Sequence, residues 1–165
     1  MTTTKKTTPR KALKVKPVQL PPNPFQHEIL ELVVKQRTKA KKIEVLQEYG
    51  NDALKSLLIW NFDQSIISLL PPGHVPYKEN EVPVGTDHTS LRREYRQLYH
   101  FIKGGNDSLS SLRRETMFIQ MLEGLHPEEA ALLCLVKDKN LTDKYKITKQ
   151  LIEEAYPDIQ WGGRS

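Results

Sequence analysis

The sequence predicts an all-α fold: a compact bundle of about six to eight helices behind a disordered basic N-terminal tail. Three observations predict it. Apolar residues recur at helical spacing through the body of the chain, no segment shows the two-residue alternation of a half-buried strand, and cap and breaker residues fall at the ends of the periodic runs. With 165 residues, 38% of them hydrophobic, the chain is long enough for one domain with a real core and too short for two. Residues 1–24 read as the tail and residues 25–165 as the single helical domain.

The tail comes first. Residues 1–22 hold Lys5, Lys6, Arg10, Lys11, Lys14 and Lys16 and no acid, and Pro17, Pro21, Pro22 and Pro24 make its end a stiff extended leader. The formal charge of +5 therefore sits in a segment that cannot pack a core, because the remaining 19 basic and 20 acidic residues nearly cancel. Such an arm either binds a polyanion or serves solubility.

Folding is expected to begin near Phe25, where Phe25, Ile29, Leu32 and Val33 share a helical face that ends in Lys35 to Arg37. Thr38 then suits an N-cap, followed by Ile43, Val45, Leu46 and Tyr49 at helical spacing and a stop at Gly50-Asn51. A third run is apolar nearly all round through Leu54, Leu57, Leu58, Ile59, Trp60 and Phe62. Ile66, Ile67, Leu69 and Leu70 carry that character on to Pro71-Pro72-Gly73, so Thr38 to Gly73 reads as helix, turn, helix and stop. The loop from His74 to His88, broken by Pro76 and Pro83, is a candidate site or cover.

A fourth helix is expected from Thr89 or Ser90 to Gly104-Gly105, with Leu91, Tyr95, Leu98 and Ile102 inward and Arg92, Arg96, His100 and Lys103 as a basic stripe outward. Its opening, Ser90-Leu91-Arg92-Arg93-Glu94, recurs as Ser111-Leu112-Arg113-Arg114-Glu115 at the start of a fifth, which Met117, Phe118, Ile119, Met121 and Leu122 carry into the interior. Leu125-His126-Pro127-Glu128-Glu129 opens a sixth, with proline at the first position and Leu125 placed to staple onto Ala130. It should run to about Lys139, with Asn140 closing it in a left-handed conformation. A connection holding Lys144, Tyr145 and Lys146 leads to a last helix near Thr148, buried through Leu151, Ile152 and Ala155. Pro157 stops it before a tail with Trp161.

The sequence carries almost no pattern of catalytic chemistry. There is no phosphate-cradling glycine loop, no paired cysteines and no two histidines at ligand spacing on one element. Cys134, flanked by Leu132, Leu133, Leu135 and Val136, reads as a buried thiol. His74 with Asp87 and His88 lacks a third clear metal ligand, and Asp87, His88 and Ser90 are too close in sequence to form a relay; Asp87 or Ser90 suits a helix cap. No apolar run approaches the ~20 residues of a membrane span, and the N-terminal lysines have no apolar segment behind them, so neither a membrane nor a secretory route is expected. No enzymatic activity, cofactor, metal or small-molecule substrate is expected.

What remains is cations at helix starts. Lys39, Lys41 and Lys42 follow Thr38 with no acid in the same turn; Arg113 and Arg114 open the fifth helix; Lys144, Lys146 and Lys149 surround Thr148. Helix starts offer free amide donors and partial positive charge, so added cations build sites for phosphates, although any one cluster is also an ordinary solvated surface. Together with the basic arm they point to a nucleic-acid backbone.

The order of these features resembles the N-terminal DNA-binding domain of ATP-dependent DNA ligases, with that of the T-even phages nearest. The residues that carry the likeness are Thr38-Lys39-Ala40-Lys41-Lys42-Ile43 into Leu46, Asn51-Asp52-Ala53-Leu54-Lys55, Pro71-Pro72-Gly73, the helix at Leu91 to Ile102, the hinge at Gly104 to Asp107, Leu132 to Lys137, and Lys144 to Thr148 leading into Ala155-Tyr156-Pro157. The whole chain is also similar to an uncharacterised family of T4-like tailed phages. The ligase likeness implies a helical bundle that grips the duplex minor groove without reading sequence, with Thr38, Lys39 and Lys41 at one contact and Lys144, Lys146 and Thr148 at another. It implies no ligation. The nucleotidyl motif Lys-x-Asp-Gly is absent, Lys137-Asp138-Lys139 on a helix does not replace it, and no nucleotidyltransferase or OB domain follows.

The expected function is a non-enzymatic module binding duplex DNA, nicked or replicating duplex included, in the cytoplasm of a phage host. The alternatives are a factor that engages a phage or host replication or transcription protein through the Pro-rich loop and Tyr95, Tyr99 and Trp161, and a virion component.

Overall fold

Residues 20–83 and 89–164 are described by the structure, a computed structural model, and among them are seven α-helices and no strand. They are α1 (Gln26–Lys35), α2 (Lys39–Tyr49), α3 (Asp52–Phe62), α4 (Leu91–Glu94), α5 (Ser111–Gly124), α6 (Pro127–Lys137) and α7 (Lys149–Ala155), with 3-10 turns at Tyr95–Phe101 and Leu141–Asp143. Residues 1–19 of the tail lie outside the described residues, as does the end of the long loop.

Four helix starts are closed by the side chains that suit them. Thr38 Oγ1 accepts from Lys41 N–H at 3.2 Å, Asn51 Oδ1 from Leu54 N–H at 2.9 Å, Ser110 Oγ from Arg113 N–H at 3.2 Å and Thr148 Oγ1 from Leu151 N–H at 3.2 Å. The start of α6 is built as its proline implies, with Leu125 and Ala130 both buried on either side of it.

The core is one cluster. α1 lies against α2 and α6, α3 against α4, the Tyr95–Phe101 turn and α6, α5 against α6, and α7 against α2. Leu54, Leu57, Leu58 and Trp60 of α3 meet Leu132, Leu133 and Val136 of α6 within it, and the Phe101 and Phe118 rings pack edge-to-face at 5.1 Å. At the centre the buried carboxylate of Glu129 accepts Gln26 N–H at 2.8 Å and Leu91 N–H at 2.9 Å, so α6 supplies the cap for both α1 and α4.

Four expectations need correction. α3 ends at Phe62, not at Leu70, because the Asp63 carboxylate takes the Ser65 N–H at 2.9 Å and the Ser65 hydroxyl at 2.7 Å, a local turn that competes with the next helical hydrogen bonds. Beyond it the chain is extended: Ser68 bridges Ile102, Leu69 N–H donates to Phe101 O and Lys103 N–H to Ile67 O. Ile66 and Leu70 still reach the core.

The fourth helix is α-helical only through Glu94 and then tightens to a 3-10 turn. That winding puts Leu98 and Phe101, three residues apart, inside together, while Tyr95 and Ile102 are only partly covered. The outward basic stripe does not form. Arg92 turns back to donate to Pro24 O at 3.1 Å, and His100 Nδ1 lies 3.0 Å from Asn106 Nδ2.

α6 closes one residue before Asn140. Lys139 takes the left-handed position at φ 59°, its N–H bonded to Val136 O and the Asn140 N–H to Leu135 O, with the Lys139 ammonium held on Asp63 O at 2.6 Å. Finally, Cys134 is half-buried, although burial still pushes its thiol up to about 11.

Candidate nucleic-acid interface

The first cluster sits where α2 begins. Lys39 and Lys41 are exposed on its first turn, and Lys42 leans back to cap the end of α1 through Val33 O at 3.4 Å. No acid stands in that turn, but one arrives from elsewhere: Glu154, near the end of α7, forms an exposed ion pair with Lys39. Such a pair contributes about 0–1 kcal/mol and gives way readily to a stronger anion. Lys41 has no side-chain partner among the described residues.

The second cluster leads into α7. Lys144 pairs with Glu128 at 3.6 Å and lies 5.5 Å from the Tyr145 ring centre, Lys146 donates to Thr142 O at 3.2 Å, and Lys149 stands over the Trp161 ring at 5.0 Å. Tyr145 and Ile147 are buried between them, so their alternation with Lys144, Lys146 and Thr148 turns these three residues outward. α7 has only seven residues, and its dipole is correspondingly small. The lysine charges, more than the free amides, would attract an anion here.

The structure brings these two clusters onto neighbouring helices. Lys39 touches Glu154, and Gln47 of α2 donates to Ala155 O at 3.1 Å, so α2 and α7 are packed and tied. The length of α7, about 10 Å, separates the Glu154 contact from Thr148, a span of some three nucleotide rises.

The third cluster does not join them. Arg113 stands in the first turn of the 14-residue α5, about 16 Å along the helix axis from its Gly124 end, after which the chain enters α6. Arg114 is withdrawn from the set altogether. It is 5% exposed, and its guanidinium donates to His100 O at 2.9 Å, Asn106 O at 3.1 Å and Leu109 O at 2.9 Å, closing the Gly104–Ser110 loop. Arg113 is exposed beside Leu112, which is 77% exposed.

Several charged groups that organise the molecule carry no motif. Burial pushes Asp63 up, but hydrogen bonds from the Ser65 side chain, Gly162 N–H, Ser65 N–H and Arg164 outweigh it and hold the carboxyl at about 2. Burial raises Glu129 above its ordinary value, against the pull of Gln26 N–H, Leu91 N–H and Arg92. The Lys137 ammonium is buried on Pro71 O, Gly73 O and Asp138. What these share is a partner more than 35 residues away or a loop carbonyl, a relation no local pattern exposes.

Among the described residues no group of three or more His, Cys, Asp or Glu is placed to hold a metal, and no helix is long and apolar enough to cross a membrane. His74 is exposed, and Asp87 and His88 lie outside the described residues. Ser90 is the N-cap of α4, without a side-chain hydrogen bond to it.

No curated protein and no solved structure matches the chain. Residues 29–143 match the model of a family of unknown function, DUF6433, a stretch that takes in Lys39, Lys41, Lys42, Arg113 and Arg114 and ends before Lys144. Because that match spans well over half of the 165 residues, the chain belongs to the DUF6433 family.

Proposed function

We propose that this protein is a non-enzymatic bacteriophage module that grips duplex DNA through its phosphate backbone with little sequence preference. The observation that carries the reading is the joint of α2 and α7, where Lys39 and Lys41 and, on the neighbouring segment, Lys144, Lys146 and Lys149 are exposed on packed elements. Lysine offers a flexible point charge, suited to phosphates and poor at reading base edges. Glu154 and Glu128 hold Lys39 and Lys144 in place through weak exposed pairs that a phosphate would displace. The likeness to the DNA-gripping domain of DNA ligases supports the same two contacts, Thr38 to Lys41 and Lys144 to Thr148, through the order of its motifs. On this reading the protein works on nicked or replicating duplex in the host cytoplasm.

The test is a gel shift of a short duplex with a variant carrying Lys39→Ala, Lys41→Glu, Lys144→Ala and Lys146→Glu. Alanine at positions 39 and 144 avoids setting two acids against each other. The shift should disappear while the thermal melting profile stays that of the parent. Binding that survives the four changes would sink the assignment.

A second reading has one observation in its favour: Ile67 and Tyr99 are large apolar side chains left 44% and 48% exposed. A replication or transcription protein docking there would be retained in a pull-down after nuclease treatment. Presence of the chain in purified particles, read by mass spectrometry, would instead place it in the virion.

A further inference from the structure

A cavity of about 320 Å³ opens between α3 and the Tyr95–Phe101 turn. Its wall is apolar: Ile66 and Leu98 are buried in it, Ile59 and Ile102 are half-buried, and Tyr99 stands 48% exposed at its edge. At the small end of ligand pockets, the space suits one or two apolar side chains. The Trp60 indole nitrogen is covered, and apart from tyrosines and arginines the wall offers one polar side chain, Ser56. That is too few convergent groups to orient a small polar ligand.

The charge around this groove has one sign. Its charged lining residues are Arg96 and Arg164, and no acid lines it. Arg164 is offset by Asp63, whose carboxylate accepts its Nε at 2.9 Å. Arg96 has no such partner. Its Nε donates to the Tyr95 hydroxyl at 3.3 Å, and the rest of its guanidinium makes no hydrogen bond among the described residues. Asp52 is close enough to act on its charge but forms no ion pair with it. The wall segment from Leu91 to Lys103 carries Arg92, Arg93, Arg96 and Lys103 against the single acid Glu94. Arg93, Arg96 and Lys103 are exposed, whereas Arg92 turns to Pro24 O and Glu94 is held by the Thr89 hydroxyl at 2.9 Å.

An occupant therefore needs an apolar side chain for the groove and a negative charge beside it for Arg96. A nucleic-acid backbone brings the charge without the apolar side chain, and a basic partner is repelled. We propose that this groove docks an acidic protein segment, a leucine or phenylalanine seated against Ile59, Leu98 and Tyr99 and a neighbouring carboxylate on Arg96. A guanidinium takes a carboxylate through two parallel hydrogen bonds, and tyrosine and arginine are the residues that most often carry interface energy. The site uses none of the lysines of α2 and α7 and does not rest on duplex binding; it gives the docking reading of Tyr99 its partner chemistry.

The experiment measures fluorescence anisotropy of a labelled, amidated Asp-Asp-Asp-Leu-Phe peptide on the full chain. An Asp-Asp-Asp-Ser-Ser peptide keeps the charge that the basic tail attracts, an Asn-Asn-Asn-Leu-Phe peptide keeps the anchor, and each should bind roughly tenfold more weakly. Tyr99→Ala and Arg96→Glu, both at exposed positions, should each weaken the parent peptide about tenfold at an unchanged melting temperature. Lys41→Glu should leave peptide binding as it was, and Tyr99→Ala should leave duplex binding as it was. Peptide binding without duplex binding upholds the groove and sinks the DNA reading alone. Equal binding of the serine peptide would reduce the contact to tail electrostatics, and equal binding of the asparagine peptide would remove the role of charge; either overturns the proposal. So does a peptide that fails to bind, or one whose binding neither Tyr99→Ala nor Arg96→Glu weakens. Self-association of the chain that Tyr99→Ala abolishes, with no peptide bound, would give the face to a second copy and overturn the acidic segment.

Discussion

Glu129 accepts Gln26 N–H with one carboxylate oxygen and Leu91 N–H with the other, so two helices depend on a side chain from a third. Glutamine keeps the shape but has only one acceptor oxygen, and its amide would face one of the two N–H donors. Glu129→Gln should therefore cost about 1–3 kcal/mol, the penalty of a buried donor left unmade. The measurement is the urea midpoint at unchanged slope, and a parental midpoint would show that the shared cap is dispensable. Asp63 makes a prediction in pH. Its folded pKa of about 2 lies below the ordinary 3.8, so its contribution is complete above about pH 4 and is lost as the pH falls towards 2. Glu129 runs the other way. Burial raises it, so taking up its proton as the pH falls favours the fold, and its contribution declines as the pH rises through its folded value. Asp63→Asn should lower stability by about 1–2 kcal/mol at neutral pH and flatten the acid limb between pH 4 and 2 in a series of thermal melts.

At the scale of elements, the helix starts were readable because their caps are local. Thr38, Asn51, Ser110 and Thr148 each close a helix through an amide three residues on, within the window a sequence pattern covers. The misread ends were decided by contacts outside that window. α3 stops where Asp63 is fixed by Ser65 and by Gly162 and Arg164, about a hundred residues on, and the apolar run from Ile66 to Leu70 could not reveal that it was extended. Arg114 looked like Arg113 in sequence, and only the folded loop from Gly104 to Ser110 separates a buried clamp from an exposed cation. That loop gives a sharp test. A Cβ on Gly105 would stand 1.9 Å from Tyr99 O, a backbone atom that cannot swing aside, so Gly105→Ala should cost on the order of 2–4 kcal/mol. A Cβ on Gly104, at φ 89°, would meet only Arg164 O, at an ordinary contact distance of 4.0 Å. Gly104→Ala meets only the left-handed backbone penalty, about 1–2 kcal/mol. Chemical denaturation of the pair should rank them in that order; the reverse order would mean the loop is not packed on the Tyr95–Phe101 turn.

Across the whole molecule the charge is distributed unevenly. Six basic residues and no acid lie in residues 1–22, while the rest of the chain is within one charge of neutral. On the proposed reading, a body so near neutral exerts little force on DNA beyond a Debye length, about 8–10 Å, so capture at a distance would fall to the tail and holding to the lysines of α2 and the segment before α7. The two contributions have different salt signatures. Each phosphate neutralised adds about 0.9 to the slope of log affinity against log salt, so removing residues 1–19 should reduce that slope by up to about 5. A residual slope of roughly 2–4 should remain, from the few lysines of the body. Titrations of the full and shortened chains against one duplex over a range of salt read both numbers at once. An unchanged slope would mean the tail never touches DNA. Complete loss of binding on shortening would mean that the α2–α7 joint forms no site of its own. A reduced but finite slope is what two separable roles require: without Lys39, Lys41, Lys144 and Lys146 the attraction of the tail alone would not hold a duplex through a gel, and without the tail those lysines would still bind with the smaller slope.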